Sequence, residues 1–202
     1  MATIRTWDAG LGMCFWSIEP CVSLRNVSAF QPSYDEHKAE TNSSAAAVWI
    51  LVTAISLAIL AAIICAPLTL SYGYTRFASA IYKTFSYVCH QIPERSFHLA
   101  GHKFGVCSRC TGLYSGFALA ALVYPLTRSL KRTDTPRIFW LLLAAVPLAI
   151  DFSLGYFSLW QNTHWSRFVT GALLGSVAVF YIVPGLVELS SALIRSRKRP
   201  GS

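Results

Sequence analysis

The run AAAVWILVTAISLAILAAIICAPLTL, residues 45–70, contains no charged side chain. About 20 consecutive apolar residues are enough to cross the hydrocarbon core of a bilayer as a helix. The run therefore predicts a transmembrane helix over about 46–70. The whole chain agrees: 54% of its residues are hydrophobic and only 13% are charged, whereas about a quarter are charged in a typical soluble domain. The composition indicates an integral membrane protein.

Three further apolar runs complete the predicted bundle. They give transmembrane helices over about 111–127, 138–160 and 168–189. Before the second helix, Phe77, Ile81 and Phe85 recur at helical spacing, which predicts a short amphipathic helix that lies at the membrane surface or packs on the bundle. The predicted fold class is all-α, with four transmembrane helices and this interfacial helix.

The flanks divide the chain into three predicted parts. Residues 1–45 form a polar, flexible N-terminal segment, residues 46–190 form the membrane domain, and residues 191–202 form a basic tail.

The formal net charge of +8 is distributed at helix ends. Lysines and arginines concentrate in the loop 128–137 and in the tail 191–202, and such clusters face the cytoplasm in membrane proteins. The cell (plasma or inner) membrane is therefore predicted, with both termini cytoplasmic and the start of the second span extracytoplasmic. Because the basic residues do not share one polar face, nucleic acid is not expected as a partner.

A polar insert between the first two spans carries the candidate chemistry. Cys107 and Cys110 form a C-x-x-C, and Cys89-His90 precedes them at a separation typical of ligand pairs in zinc sites. This predicts a zinc or iron ion held by Cys89, Cys107, Cys110 and His90. Adjacent residues rarely both bind one ion, so His98 or His102 are alternatives to His90.

The same cysteines admit two other interpretations. On the extracytoplasmic side, oxidation is permitted, so Cys89 could form a structural disulfide with Cys107 or Cys110. A C-x-x-C at the start of a helix also suits thiol–disulfide exchange, because the helix N-terminus stabilises the thiolate.

Charged residues on the same predicted side suggest an anion site. Arg95, Arg109 and Arg167 could bind an anionic lipid headgroup or a phosphorylated ligand. Asp151 lies inside the third predicted span, where a carboxylate needs a partner, and Arg109, Arg167 or a bound cation are the candidates. If catalysis occurs, Asp151 and Glu94 are the available general bases.

Glycines repeat at four-residue spacing in two spans. Gly112 and Gly116 share one helix face, as do Gly171 and Gly175. Such faces allow helix backbones to approach closely, within one chain or between chains.

Several of these residues together resemble a known family. Cys89-His90-Gln91, Glu94-Arg95-Ser96 and Cys107-x-Arg109-Cys110-Thr111-Gly112-x-Tyr114-x-Gly116 are similar to the motifs of a family of small prokaryotic membrane proteins, domain of unknown function 2085. Pro147, Asp151, Arg167, Thr170 and Gly171 extend the resemblance into the later spans. The resemblance implies a multi-span membrane protein and supplies no activity.

The residues thus predict a multi-pass membrane protein with an extracytoplasmic site that binds a metal or contains a disulfide. The alternatives are a membrane-embedded enzyme or binder of an anionic lipid or phosphorylated substrate, and a thiol–disulfide oxidoreductase. No nucleophile elbow, P-loop or dinucleotide fingerprint is present in the sequence.

Overall fold

The computed structural model describes residues 27–130, 132 and 134–197. These residues form five α-helices, a two-stranded hairpin and one 3₁₀ turn: α1 (Val27–Ser71), α2 (Thr75–Ser86), the 3₁₀ turn (Pro93–Arg95), β1 (His98–Leu99), β2 (His102–Lys103), α3 (Ser108–Thr127), α4 (Ile138–Tyr156) and α5 (His164–Arg197). By its contacts the chain divides into Met1–Thr41 and Asn42–Ser202. The site described below lies within the second unit.

Four helices are long and apolar enough to cross a membrane, as predicted. They are Ser44–Ser71 of α1, Ser108–Thr127, Ile138–Tyr156 and His164–Ile194. Many of their large apolar side chains are exposed on the outside of the bundle, such as Leu51, Leu142 and Leu173. In a bilayer these side chains contact lipid, which removes the cost of leaving them uncovered.

The ends of the later spans differ from the predicted 138–160 and 168–189. Helix α4 ends at Tyr156, because Ser158 has a φ of +55° and the N–H groups of Leu159 and Trp160 bond back to the carbonyl of Leu154. Helix α5 begins earlier, at His164, where the hydroxyl of Thr163 accepts the N–H of Ser166 at 3.1 Å and caps the helix.

The predicted flanks are described only in part. Residues 1–26 of the N-terminal segment 1–45 lie outside the described residues, and α1 begins at Val27. Helix α5 continues to Arg197, through much of the predicted tail 191–202, and residues 198–202 again lie outside. The division of the chain into these parts therefore stays a prediction.

Helices α3 and α5 run parallel and touch backbone to backbone. A Cβ added to Gly112 would lie 2.0 Å from the carbonyl oxygen of Phe168, and one added to Gly116 would lie 2.2 Å from that of Ala172. Gly171 and Gly175 meet α3 in the same way. The prediction that the glycine faces permit close approach is confirmed, and the contact is made within one chain.

Two prolines inside helices expose carbonyl groups that other elements use. Proline has no N–H, so the carbonyl four residues before it loses its helical partner. The carbonyl of Ile63, freed by Pro67, accepts the N–H of Gly105 at 3.2 Å. The carbonyl of Ala121, freed by Pro125, accepts the indole N–H of Trp49 at 2.7 Å. These bonds join α1 to the polar insert and to α3.

The predicted amphipathic helix exists as α2, and one of its faces packs on the bundle. Phe85 is buried in a cluster with Ile63, Val106 and Cys89, while Phe77 is 60% exposed. The hairpin that follows was not predicted. Its turn residues Ala100 and Gly101 both have positive φ, as the commonest two-residue hairpin turn requires.

Candidate functional site

Three cysteines converge at the start of α3. Cys107 is the residue before the first turn of α3, Cys110 lies in that turn, and Cys89 follows α2. Their three Sγ atoms lie within 4.8 Å of one another. Cys89 is buried, Cys107 and Cys110 are half-buried, and all three are free thiols. The structure thus brings together three of the predicted ligands.

The apolar packing beneath the cluster explains why these segments meet. Val106 has no exposed surface and contacts the cluster that contains Ile63, Phe85 and Cys89. Gly105 approaches α1 so closely that a Cβ there would lie 3.3 Å from the Cα of Ile63. Burial of Val106 and Phe85, together with the Gly105–Ile63 hydrogen bond, holds the two cysteine-bearing segments side by side.

The Cys89-His90-Gln91 segment is held in an uncommon backbone conformation. Gln91 has a φ of +51°, which is unusual for a residue other than glycine. Its side-chain amide donates to the carbonyl of Tyr82 at 2.7 Å, and its own carbonyl accepts from the Lys103 ammonium at 2.6 Å. The Tyr82 hydroxyl donates to the carbonyl of Lys103. This network fixes the direction in which Cys89 faces.

The thiols act on one another electrostatically. Hydrogen bonds from the thiols of Cys107 and Cys110, and from the backbone N–H of Cys107 at 3.2 Å, hold the pKa of the Cys89 thiol well below its ordinary value, although burial opposes them. Burial also raises the pKa of the nearby Tyr82 hydroxyl. A thiolate is the form of cysteine that binds metals.

Asp151 is buried in α4 and has partners on two other helices. One carboxylate oxygen accepts from the guanidinium of Arg109 on α3, and the other accepts from the Ser166 hydroxyl on α5 at 2.9 Å. The side chain of Asn162 donates to the backbone carbonyl of Asp151. Of the three candidate partners, Arg109, Arg167 and a bound cation, Arg109 forms the ion pair with Asp151. The carboxylate thereby joins three helices.

A second polar contact fixes His164 at the start of α5. The Ser108 hydroxyl donates to the carbonyl of Arg95 at 3.0 Å and lies 3.1 Å from Nδ1 of His164. The hydroxyl has one proton and a carbonyl can only accept, so Nδ1 of His164 donates to Ser108. The turn that carries Arg95 is thereby tied to α3 and α5.

A cavity of about 390 Å³ adjoins these groups. All three predicted anion-binding arginines and all three cysteines line it, together with His90 and Asn162. Its remaining lining residues are Val88, Gln91, Ile92, Phe152, Gly155 and Tyr156. The guanidinium of Arg109 also lies over the ring of Phe152, with Cζ 5.6 Å from the centroid. Thiols and guanidiniums therefore line the same cavity.

Other predicted site residues lie elsewhere. Within the described part of the chain, none of the histidines belongs to the three-sulfur cluster. His90 is exposed beside Cys89 and lines the cavity, whereas His98 and His102 lie on the hairpin strands. Glu94 is exposed in the 3₁₀ turn and is not among the residues that line the cavity.

Four residues that hold the candidate site together by hydrogen bonds were not predicted as site residues: Gln91, Ser108, Asn162 and Ser166. Each is a small or medium polar residue whose role depends on a partner distant in sequence. Periodicity contains no signal for such contacts. Two signals were available in the sequence: Gln91 belongs to the Cys89-His90-Gln91 motif, and polar residues cluster near 162–166, at the end of an apolar span.

Four candidate spans and a cysteine cluster define a multi-pass membrane protein. The chain belongs to the family described as predicted membrane protein (DUF2085), whose model matches residues 89–181. It is 37% identical to an uncharacterized protein of Methanocaldococcus jannaschii over 54% of this chain and 70% of that protein. It is 38% identical to an uncharacterized protein of Methanothermobacter thermautotrophicus over 45% of this chain and 80% of that protein. No solved structure matches the chain.

Proposed function

We propose that this membrane protein binds a zinc or iron ion through the thiolates of Cys89, Cys107 and Cys110. The observation that carries the proposal is the mutual approach of the three Sγ atoms, within 4.8 Å. In a tetrahedral site with Zn–S bonds of about 2.3 Å, the ligand sulfurs lie roughly 3.8 Å apart. A small contraction of the cluster gives that geometry.

The surroundings of the cluster suit thiolate ligands. Cys107 and Cys110 lie at the N-terminus of α3, where the helix dipole favours negative charge. Arg95, Arg109 and Arg167 line the adjoining cavity and add positive charge. A cluster of three thiolates would repel itself in an apolar site, and these groups together with a divalent cation would balance the charge.

Three protein ligands leave a fourth position for another group. His90 is the predicted histidine ligand, with His98 and His102 as alternatives, and of these His90 lines the cavity. If no histidine binds, another group would complete the site, and the cavity that the three cysteines line would have room for it. Zinc sites with three protein ligands and one open position are typical of reactive rather than structural centres.

A disulfide would use only two of the three cysteines. It would join two of the three sulfurs and leave the third as a free thiol, although all three lie within 4.8 Å of one another. Thiol–disulfide exchange would likewise need only two. The convergence of three sulfurs therefore favours a metal.

We also propose that the site faces outward from the cell membrane. Helices α3 and α5 run parallel, and α4 connects them in the chain by running back in the opposite direction. The cysteines therefore lie at the end opposite the basic loop 128–137. Because Lys/Arg-rich loops face the cytoplasm, both termini are assigned to the cytoplasm and the cysteines to the outside.

Metal content of the detergent-purified protein tests the metal proposal. We expect about one zinc or iron per chain in the wild type and loss of that metal in Cys107→Ser. Cys65→Ser is the matched control, because Cys65 is an exposed thiol on α1 outside the cluster. It should retain the metal.

Counting of reactive thiols under denaturing conditions tests the alternative, a disulfide among the three cysteines. A wild type without metal, in which two of Cys89, Cys107 and Cys110 are oxidised to each other, would overturn the metal proposal and establish a disulfide. Equal metal content in Cys107→Ser and Cys65→Ser would overturn it as well, because the metal would then be bound elsewhere.

A further inference from the structure

Three guanidinium groups line the cavity beside the cysteines. Arg95 comes from the 3₁₀ turn, Arg109 from α3 and Arg167 from α5. Three segments distant in sequence thus bring like charges to the lining of one cavity. Like charges gathered around one space are unfavourable unless something between them is negative.

The negative charges of the protein near the cavity offset only part of the charge of the three arginines, because three thiolates around one divalent cation carry a net charge of −1 and Asp151 supplies one more. In the part of the chain that the structure describes, Asp151 pairs with Arg109, and neither Arg95 nor Arg167 has a carboxylate partner. The Nε–H of Arg109 is buried and has no acceptor. A buried donor without an acceptor costs free energy. A bound anion would supply the missing acceptor.

The first turn of α3 adds donors on the same side. Cys107 precedes the helix without a side-chain cap, so the first backbone N–H groups of α3 keep no side-chain acceptor. Helix N-termini attract anions through these groups and through the helix dipole. This feature reinforces the arginines and does not define the site by itself.

We propose that the cavity binds a phosphate-type oxyanion between Arg95, Arg109 and Arg167. Planar guanidinium groups bind phosphate oxygens with paired hydrogen bonds. Two arginines without a carboxylate partner match the charge of a phosphate better than that of a single carboxylate. The volume of about 390 Å³ falls in the range of pockets that accept small molecules.

Two kinds of ligand carry such a phosphate group: free phosphate and the headgroup of a lipid. The wall of the cavity formed by α4 contributes Phe152 and Tyr156, which are 53% and 73% exposed. Such an apolar and exposed wall would let the chains of a lipid lie along α4 while its headgroup enters the cavity. The anion site goes beyond the proposed metal centre and does not require a metal.

Calorimetric titration of the purified full-length chain tests the anion site. The probes are inorganic phosphate, short-chain phosphatidic acid, and diacylglycerol with the same acyl chains as a phosphate-free comparator. The variants are Arg95→Gln and Arg167→Gln. Arg76→Gln is the matched control, because Arg76 is exposed on α2 and does not line the cavity.

We expect the wild type to bind phosphatidic acid or inorganic phosphate and not diacylglycerol. Each cavity variant should weaken that binding by about tenfold or more, because it removes a charge-assisted contact. Arg76→Gln should bind like the wild type. Binding of both phosphate probes would identify phosphate itself as sufficient, and binding of phosphatidic acid alone would identify a lipid ligand.

Absence of binding by both phosphate probes would overturn the proposal, as would wild-type affinity in both cavity variants. Arg95 is exposed and its side chain makes no ion pair within the described residues, so Arg95→Gln should fold even if Arg167→Gln does not. Metal content measured on the same samples separates the two proposals. Metal-free protein that binds phosphate contradicts only the metal centre, and metal-loaded protein that binds none contradicts only the anion site.

Discussion

The two contacts made by α5 differ in what holds them together. Helices α5 and α3 pack closely because four glycines at their contact have no side chains, so the two backbones touch. Against α4, helix α5 is joined by polar side chains, because Ser166 bonds to Asp151, which in turn binds Arg109. The first contact depends mainly on shape, with hydrogen bonds from His164 and Ser176 of α5 to α3 added to it. The second depends on charge and hydrogen bonding.

The difference matters because no hydrophobic effect drives helices together inside a bilayer. Close packing and hydrogen bonds must supply the association. The glycine contact between α3 and α5 sets the distance between the helices that carry Arg109 and Arg167. The polar contact then adds α4 and closes one side of the cavity. Loss of the first should therefore cost more than loss of the second.

The largest effect is expected for Gly112→Ala. The new Cβ would lie 2.0 Å from the carbonyl oxygen of Phe168, a backbone atom that cannot move without separating the helices. We expect a loss of about 3 kcal/mol or more in the free energy of unfolding, measured by SDS titration in mixed micelles. The control is Gly185→Ala on α5, where a Cβ meets nothing within 4 Å. Equal stability of the two variants would contradict the shape-dependent contact.

The second-largest loss in the free energy of unfolding is expected for Asp151→Asn. The variant leaves the guanidinium of Arg109 without its carboxylate. Removal of one partner from a fully buried ion pair costs about 3–5 kcal/mol, and because the Arg109 side chain is 22% exposed we expect a loss of about 2–3 kcal/mol. The same unfolding titration measures it. The double variant Arg109→Gln/Asp151→Asn should lose less than the sum of the two single variants. Strict additivity would show that the two side chains do not interact.

The smallest effect is expected for Ser166→Ala. It removes the 2.9 Å hydrogen bond to the Asp151 carboxylate and the 3.1 Å contact with the carbonyl of Thr163. We expect a loss of about 1.5 kcal/mol, the lower end for a hydrogen bond to a charged group. Ser190→Ala on the same helix is the control, since Ser190 bonds only to the carbonyl of Val187 within α5. If Ser166→Ala is no less stable than Ser190→Ala, the polar contact between α4 and α5 is not a source of stability.

Hydropathy predicted the four spans because each needs an apolar run of sufficient length, and that property is local. The glycine spacing predicted close helix approach for the same reason. The pairing of Asp151 was accessible in part, since a carboxylate in an apolar span requires a partner and Arg109 was one of the two arginines named as candidates.

The helix ends and the hairpin could not be predicted in this way. Apolar residues such as Trp160 extend the hydropathy signal past the end of α4, where backbone conformation stops the helix. The bonds from Gly105 to Ile63 and from Trp49 to Ala121 follow from prolines that free a carbonyl. The sequence shows which carbonyl is freed and contains no pattern that identifies its new partner.

The central claim is that Cys89, Cys107 and Cys110 bind one metal ion. X-ray absorption spectroscopy of the purified protein, at the edge of whichever metal it contains, tests this claim most directly. We expect a shell of about three sulfur atoms at roughly 2.3 Å if the metal is zinc, reduced in Cys107→Ser and unchanged in Cys65→Ser. A first shell made only of oxygen and nitrogen would contradict the account.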